Sequence, residues 1–439
     1  MLTKEENAYL CQVGAGTPMG ANLRRYWWPV LPAGDLVGKG RACTPHRIRL
    51  LGEDLVAFRG EDGVVRLVDE RCPHRGASLA LGMVEDCGIR CLYHGWKLNE
   101  TGVLEAPNIV RRETGRNPFS GIKTNRYSAR EAGGIIWAYI GDSDDVSPFP
   151  DYRFFEAGER NLWVSVQYVD ANFVQVVETS VDPAHVAFLH ADAMAKVSAA
   201  IDPSTSSNIR NQRAPKIELE RTDFGFRMYA VREQDAEHRH VRPTLFVAPA
   251  TIFIPRSPQK SQGGLLTVVP IDDTHSMQMV VMWDEENDIC SEPVKSEMLA
   301  TFGMLPDTLA GFGLDFANRS RVGKPSRENC FLQDREAIAR GDSVSGLGDF
   351  APEDLSIAMS QGAIADRSVE NLVESDIGVV EFRRTLINSA RAVEKGSTAF
   401  ATGGDVDSYA ICAHEYIVCQ DEPWRPRAPV NQRLVARKE

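Results

Sequence analysis

Apolar residues along this chain change their spacing near residue 150. Before that point they come in short runs, at 46–51, 55–58 and 64–68, each stopped by a glycine- and acid-rich break such as Gly52-Glu53-Asp54 or Gly60-Glu61-Asp62-Gly63. The pattern predicts a meander of short strands with a turn at every break. Helices are expected at 5–12 and 20–26 ahead of it, and a further buried strand at 133–141. The Pro- and Asp-rich stretch 142–152 reads as a linker, so domains 1–150 and 151–439 are expected. Beyond the linker both periods occur. Strand spacing recurs at 162–169, 216–220, 226–231, 244–253, 265–269 and 276–283, and helical spacing at 172–190, 293–304, 331–340, 352–363 and 377–393. Strands embraced by helices in this order predict an α+β domain with an antiparallel sheet.

Composition narrows the class. With 439 residues, 43% hydrophobic and 25% charged, the chain has material for two or three globular domains. No apolar run approaches the roughly 20 residues that span a bilayer. The polar start, Met1-Leu2-Thr3-Lys4-Glu5-Glu6, lacks a signal-peptide core, so a cytoplasmic protein is expected. Nine cysteines, an odd number, fit reduced thiols better than a disulfide framework. A net charge of -12 disfavours nucleic acid as a partner, and an anionic substrate would need local arginines to offset the overall field.

Two short motifs carry chemistry. Cys72-Pro73-His74 and Cys91-Leu92-Tyr93-His94 each hold one thiol and one imidazole, with sixteen residues between them. A zinc module usually pairs two cysteines in one knuckle and two histidines later. Here each loop can reach both irons of a 2Fe–2S cluster, with two cysteines on one iron and two histidines on the other, which is the Rieske arrangement. Gly76 and Gly95 beside the ligands allow close backbone approach.

Glu178-Thr179-Ser180-Val181-Asp182-Pro183-Ala184-His185 followed by His190 is a second concentration of ligand types. At about 100° per residue Glu178, Asp182 and His185 share one helix face, while His190 lies about 140° further round. A regular helix cannot aim both histidines at one ion. Pro183 offers a new start with Asp182 as its cap. Two histidines and one carboxylate would leave open positions on Fe(II) for dioxygen. Asp354 is the chosen third ligand, with Glu353 and Asp349 as rivals.

Taken together, these residues resemble the oxygenase components of Rieske non-haem iron oxygenases, above all the branch typified by phthalate 4,5-dioxygenase. The two Cys/His loops, the stretch from Asn172 through Gln175 and Glu178 to His190, and Asn329–Arg335 with Asp366-Arg367 carry the resemblance. It implies a Rieske domain of antiparallel sheets joined to a helix-grip, START-like catalytic domain. Cys72, His74, Cys91 and His94 would bind the 2Fe–2S cluster, His185, His190 and Asp354 the mononuclear Fe(II), and Asn172 and Asp182 would belong to the catalytic helix. The assembly implied is a homotrimer or a pair of stacked trimers, in which Asp182 bridges a histidine ligand of one subunit to a histidine of the next, because one subunit's own cluster lies too far from its iron. Ala77 and Tyr93 stand where the respiratory Rieske proteins carry a disulfide. A flavin and iron–sulfur reductase would pass electrons from NADH, and the substrates would be dioxygen and an aromatic acid, giving a cis-dihydrodiol or, from an ether, a demethylated product. The branch's preference for acids draws attention to the basic stretch 210–242, where Arg213 and Arg242 are the candidates to hold a carboxylate.

Overall fold

The computed structural model describes residues 1–109, 119, 121–200, 209, 212, 214–255, 261–312 and 324–425. It divides into two compact units, one formed by Gln12–Phe149 and the other by Met1–Cys11 with Pro150–Glu439.

The Gln12–Phe149 unit is built from three small antiparallel sheets. Strands His46–Leu50, Glu53–Arg59 and Val65–Asp69 form one, strands Trp28–Pro32, Ile135–Tyr139 and Ser128–Ala132 another, and four short strands between Met83 and Glu105 the third. The hairpin from Leu50 to Glu53 turns through Leu51 and Gly52, both at positive φ (50° and 83°). Two such residues match the right-handed twist of the strands they join. The interior is fully apolar at Trp28, Leu50, Leu55, Phe58, Leu67 and Ile136.

The other unit is organised by an eight-stranded antiparallel sheet. Its main path runs Leu162–Val169, Ser276–Asp284, Gln262–Pro270, Thr251–Ile254, His238–Val247, Gly225–Glu233 and Lys216–Arg221, with Tyr416–Cys419 added beside His238–Val247. The single strand expected at 244–253 is two strands. Pro249 has no N–H to give a ladder, and the chain turns there so that Val247 pairs with Thr251. Helices Phe173–Val181, Phe350–Ser360 and Ile377–Glu394 belong to the same unit.

One further expectation, the break at Pro183, is met, and another changes. The continuous helical period at 172–190 is broken into a helix Phe173–Val181, a single turn His185–Ala187 and a new helix Ala191–Ala200. The residue before a proline is driven out of helical geometry, and Asp182 takes φ -93°, ψ 112°. The first helix, Lys4–Cys11, expected within the domain 1–150, belongs instead with the second unit. Leu2 N–H donates to the Arg367 carbonyl and the Asn7 amide to that of Ala365. Arg367, 1% exposed, forks onto both carboxylate oxygens of Glu178 at 2.8 Å and also reaches Asn7. Arg383 grips the same Glu178 at 2.6 Å. Glu178 is thereby spent on two guanidiniums and anchors its helix instead of facing an ion.

Removing one partner from a buried charge network leaves the other charge uncompensated. Arg367→Met is expected to destabilise the unit containing Glu178 by about 3 kcal/mol, read as a lowered urea midpoint for that unit. A midpoint equal to that of the parent chain contradicts the role assigned to Arg367.

Candidate functional site: two ligand clusters in separate units

The broken helix brings together residues that a regular one keeps apart. Among the described residues, His185, His190 and Asp354 are the one group of three ligand types whose donor atoms all lie within 4.8 Å of one another. Asp182 closes the Phe173–Val181 helix, and its Oδ1 accepts the Ala184 N–H at 2.8 Å, so the aspartate caps the next turn as the sequence suggested. His185 then stands on that turn, and His190 opens the following helix by accepting the Met194 N–H. Asp354 comes from the first turns of the Phe350–Ser360 helix.

Each imidazole has its proton placed for it. His185 Nδ1 lies 2.6 Å from the Asp182 carbonyl oxygen, which can only accept. His190 Nδ1 lies 2.6 Å from Glu353 Oε2, and Glu353, fully buried, is held from its other oxygen by the Ser345 hydroxyl. Protons on both Nδ1 atoms leave both Nε2 lone pairs free. Those Nε2 atoms sit 3.5 Å and 2.9 Å from Asp354 Oδ1. Oδ1 is buried, yet no donor meets it in hydrogen-bond geometry. Three lone-pair atoms that converge without hydrogen bonding to one another fit a shared cation. Two histidines and a carboxylate on one side of that point match the facial set that holds Fe(II) and leaves other positions open.

The electrostatics agree. Burial alone disfavours a charged imidazole, but Asp182 and Asp354 outweigh it and push His185 up to about 10. His190 moves up against the same burial, with Asp354 as the stronger partner and Glu353 after it. Asp354 is held well below the usual carboxylate range although burial opposes its ionisation. The site therefore favours positive charge at its centre.

A cavity of about 310 Å³ opens beside this trio. Its walls are mostly apolar, including Ile252, Leu266, Val280, Met282 and Phe302, with Gln167, Arg242, Thr244 and Glu415 among the polar exceptions. Arg242 and the buried Arg232 share one nearby carboxylate, Glu415, 3.9 Å from Arg242 Nε. Burial lowers both arginines, Arg232 to about 10, and Glu415 only partly opposes this.

The other cluster lies in the Gln12–Phe149 unit and is built locally. Cys72 N–H donates to the Ala77 carbonyl and Gly76 N–H to that of Cys72, at 2.9 and 2.8 Å; Cys91 N–H donates to Trp96 and Gly95 N–H to Cys91, at 2.7 and 3.0 Å. The two loops thus repeat one turn at the same offsets. Gly76 and Gly95 occupy its left-handed position (φ 72° and 74°), where a side chain would be strained. The cysteines are buried and the histidines half-buried, with the His74 and His94 rings 4.5 Å apart and His74 stacked on Trp96. Burial raises the Cys72 thiol, with Cys91 adding to the effect, so positive metal charge is what would ionise this pair. Sulfur ligands inside and imidazoles outside suit two irons side by side. The four do not draw in to the single-ion spacing of a zinc cage.

The remaining sequence candidates are placed as follows. Asn172 caps the Phe173–Val181 helix; its amide is spent on the Cys11 and Asp273 carbonyls, and it does not line the cavity. Asp182 lines the cavity as well as capping and carrying His185. Arg213 lies outside the described residues. Of the other basic residues in 210–242, Arg221 pairs with Glu381, Arg227 with Glu220 and Lys216 with Glu218, as ordinary surface charges do. Asp349, once a rival ligand, binds Lys196, and Glu353 meets Nδ1 of His190. Sequence reasoning did not find Ser345, Gln167 or Glu415, which only the folded chain brings to the site.

A Rieske-type loop pair in one unit and a two-histidine, one-carboxylate centre in the other define an iron oxygenase component. Residues 26–114 match the Rieske 2Fe–2S domain, and residues 138–436 match the family described as LigXa C-terminal domain like. The chain belongs to the Rieske non-haem iron oxygenases. It is 36% identical to the phthalate 4,5-dioxygenase oxygenase subunit of Pseudomonas putida, over 97% of this chain and 94% of that one. The 3-chlorobenzoate-3,4-dioxygenase oxygenase subunit of Comamonas testosteroni is 30% identical over 93% of each chain. A 5,5'-dehydrodivanillate O-demethylase oxygenase subunit from a Sphingobium species is 28% identical over 90% of this chain and 82% of its own. Among solved structures, a mutant of Pseudomonas putida CBB5 NdmA with caffeine shares the fold with a TM-score of 0.60 at 20% identity, covering 93% of this chain and all of that one. No helix among the described residues is long and apolar enough to cross a membrane.

Removing the buried carboxylate behind a metal-bound histidine commonly lowers metal affinity about 10- to 100-fold. Glu353→Ala is expected to lose the mononuclear iron on dialysis at concentrations where the parent retains it, while the Rieske signal in electron paramagnetic resonance stays. Equal iron retention by parent and variant would refute the supporting role of Glu353.

Proposed function

We propose that this oxygenase component oxidises an aromatic carboxylate, with cis-dihydroxylation of a phthalate-like ring as the reaction. The observation that carries the reading is the charge imbalance at the cavity wall: among the described residues two guanidiniums, Arg232 and Arg242, share the carboxylate of Glu415, which also meets His240 Nε2 at 3.3 Å. A buried positive charge without a full partner is costly, and a substrate carboxylate on Arg242 would complete it through charge-assisted hydrogen bonds. The apolar walls then hold the ring beside the His185, His190 and Asp354 trio. Relatives named for phthalate and chlorobenzoate support the acid. O-demethylation of a methoxybenzoate is the second reading, supported by the relative named as an O-demethylase.

In this reading Cys72, His74, Cys91 and His94 hold the 2Fe–2S cluster, and His185, His190 and Asp354 hold Fe(II). The two centres supply single electrons and the activation of dioxygen. The chain's own residues do the rest. Asp182 and Glu353 keep Nδ1 protonated on the two histidines, Arg242 fixes the ring's orientation through its carboxylate, and the apolar side chains exclude water from the reacting face. A flavin and iron–sulfur reductase using NADH is the proposed electron donor. A homotrimer or stacked-trimer hexamer in the cytoplasm, with Asp182 as the bridge between subunits, completes the proposal.

Metal analysis is expected to give about three irons per chain, falling to about two in Asp354→Ala with the Rieske signal kept. Two irons in the parent would leave an electron carrier, and zinc in place of iron would remove the reading altogether. Oxygen uptake with a matched reductase, run against phthalate isomers, hydroxybenzoates and methoxybenzoates, separates the chemistries, since a dihydrodiol marks one and formaldehyde the other. Arg242→Met should weaken binding of the accepted acid roughly 10- to 100-fold; affinity equal to the parent's for every acid would reject Arg242 as its partner.

A further inference from the structure

Gln167 is one of the polar side chains of the cavity that the reading above leaves unused. It lies on the edge strand Leu162–Val169, pairs in register with Gln278, lines the cavity and is 1% exposed. Both its amide nitrogen and its amide oxygen are buried without a hydrogen-bond partner. Buried amides are almost always paired. One that faces a ligand cavity with both ends open is matched by what the cavity binds. From the next strand Val280 and Met282 offer it nothing polar, and the in-register Gln278, which also lines the cavity, makes no hydrogen bond to it.

Its position relative to Arg242 decides what it can touch. Arg242 projects from His238–Val247, and three strands of the sheet separate that strand from the one bearing Gln167. The two side chains therefore reach the one cavity from well-separated strands, so a ring whose carboxylate lies on Arg242 presents a different edge to Gln167. We infer that Gln167 is a specificity-determining residue, and that the cavity selects aromatic acids carrying a second hydrogen-bonding substituent on the side of the ring remote from the carboxylate. The amide offers a donating NH2 and an accepting oxygen side by side. A phenolic hydroxyl satisfies both, a methoxy oxygen only the donor, and a methyl group neither.

The inference rests on the carboxylate reading, and its test separates the two. Binding of 3- and 4-hydroxybenzoate, the matching methoxybenzoates and the matching methylbenzoates is measured by calorimetry on the protein loaded with cluster and iron. The better hydroxybenzoate should bind the parent at least about fivefold more tightly than its methyl counterpart, with the methoxy compound between them. In Gln167→Leu the hydroxyl-to-methyl ratio should fall to about one. Gln167→Met, unbranched and of similar length, gives the same comparison should the leucine variant lose iron or the Rieske signal. A parent without hydroxyl preference, or a preference kept in the variants, overturns this inference while leaving the carboxylate reading standing. Failure of every acid to bind overturns both.

Discussion

Two Nδ1–H groups, each pointed at an oxygen that can only accept, govern the catalytic unit. One belongs to His185 and meets a backbone carbonyl, and the other belongs to His190 and meets the Glu353 carboxylate. If either proton moved to Nε2, that nitrogen would lose the lone pair through which it can face a cation and would instead donate to Asp354. The break at Pro183, the cap by Asp182 and the enclosure of Glu353 under Ser345 all serve this one arrangement. It is also asymmetric. His185 leans on a neutral group and His190 on an anion, so the second ring is the stronger donor of the pair.

The two ligand clusters reach their geometry by opposite routes. The turn bonds of Cys72 and Cys91 close within five residues, and a glycine in left-handed geometry completes each loop. The iron-type trio depends on contacts between distant segments, such as the bond from His190 to Glu353 across 163 positions. Loop closure of that length is entropically costly, and it is met by tying the segments together elsewhere. Gln175 binds the Ala358 and Gly362 carbonyls, and Arg367 joins Glu178 to the first helix. The cavity inherits this long-range construction. Its charge excess and its unmatched amide come from strands far apart in sequence, and together they are the basis for proposing a ligand with an anionic end, an apolar middle and a polar far side.

Much of this was legible in the chain. Ligand type and local spacing identified the two Cys/His loops, because in such loops the sequence neighbours are also the spatial neighbours. Strand 162–169 agrees with its pattern to the residue, since alternation records which face is buried. The arithmetic of about 100° per residue showed that one helix could not present both His185 and His190, and Pro183 marked the place of the break. Asp354 could be named as a ligand only with help from resemblance, because an acid in a helix's first turn is usually no more than a partner of the helix dipole.

The tertiary structure decided what depends on partners remote in the chain. It moved the helix Lys4–Cys11 to the second unit, divided the strand at Pro249, engaged Glu178 and Asn172 with distant partners, and set Glu353 against Nδ1 of His190. Each outcome follows from a hydrogen bond or ion pair whose two ends lie far apart in sequence, and no local pattern records such a pair. Residue chemistry and spacing determined which groups could bind metal; only the packing of distant strands and helices determined which of them meet and which remain charged without a full partner, because those contacts join segments remote in the chain.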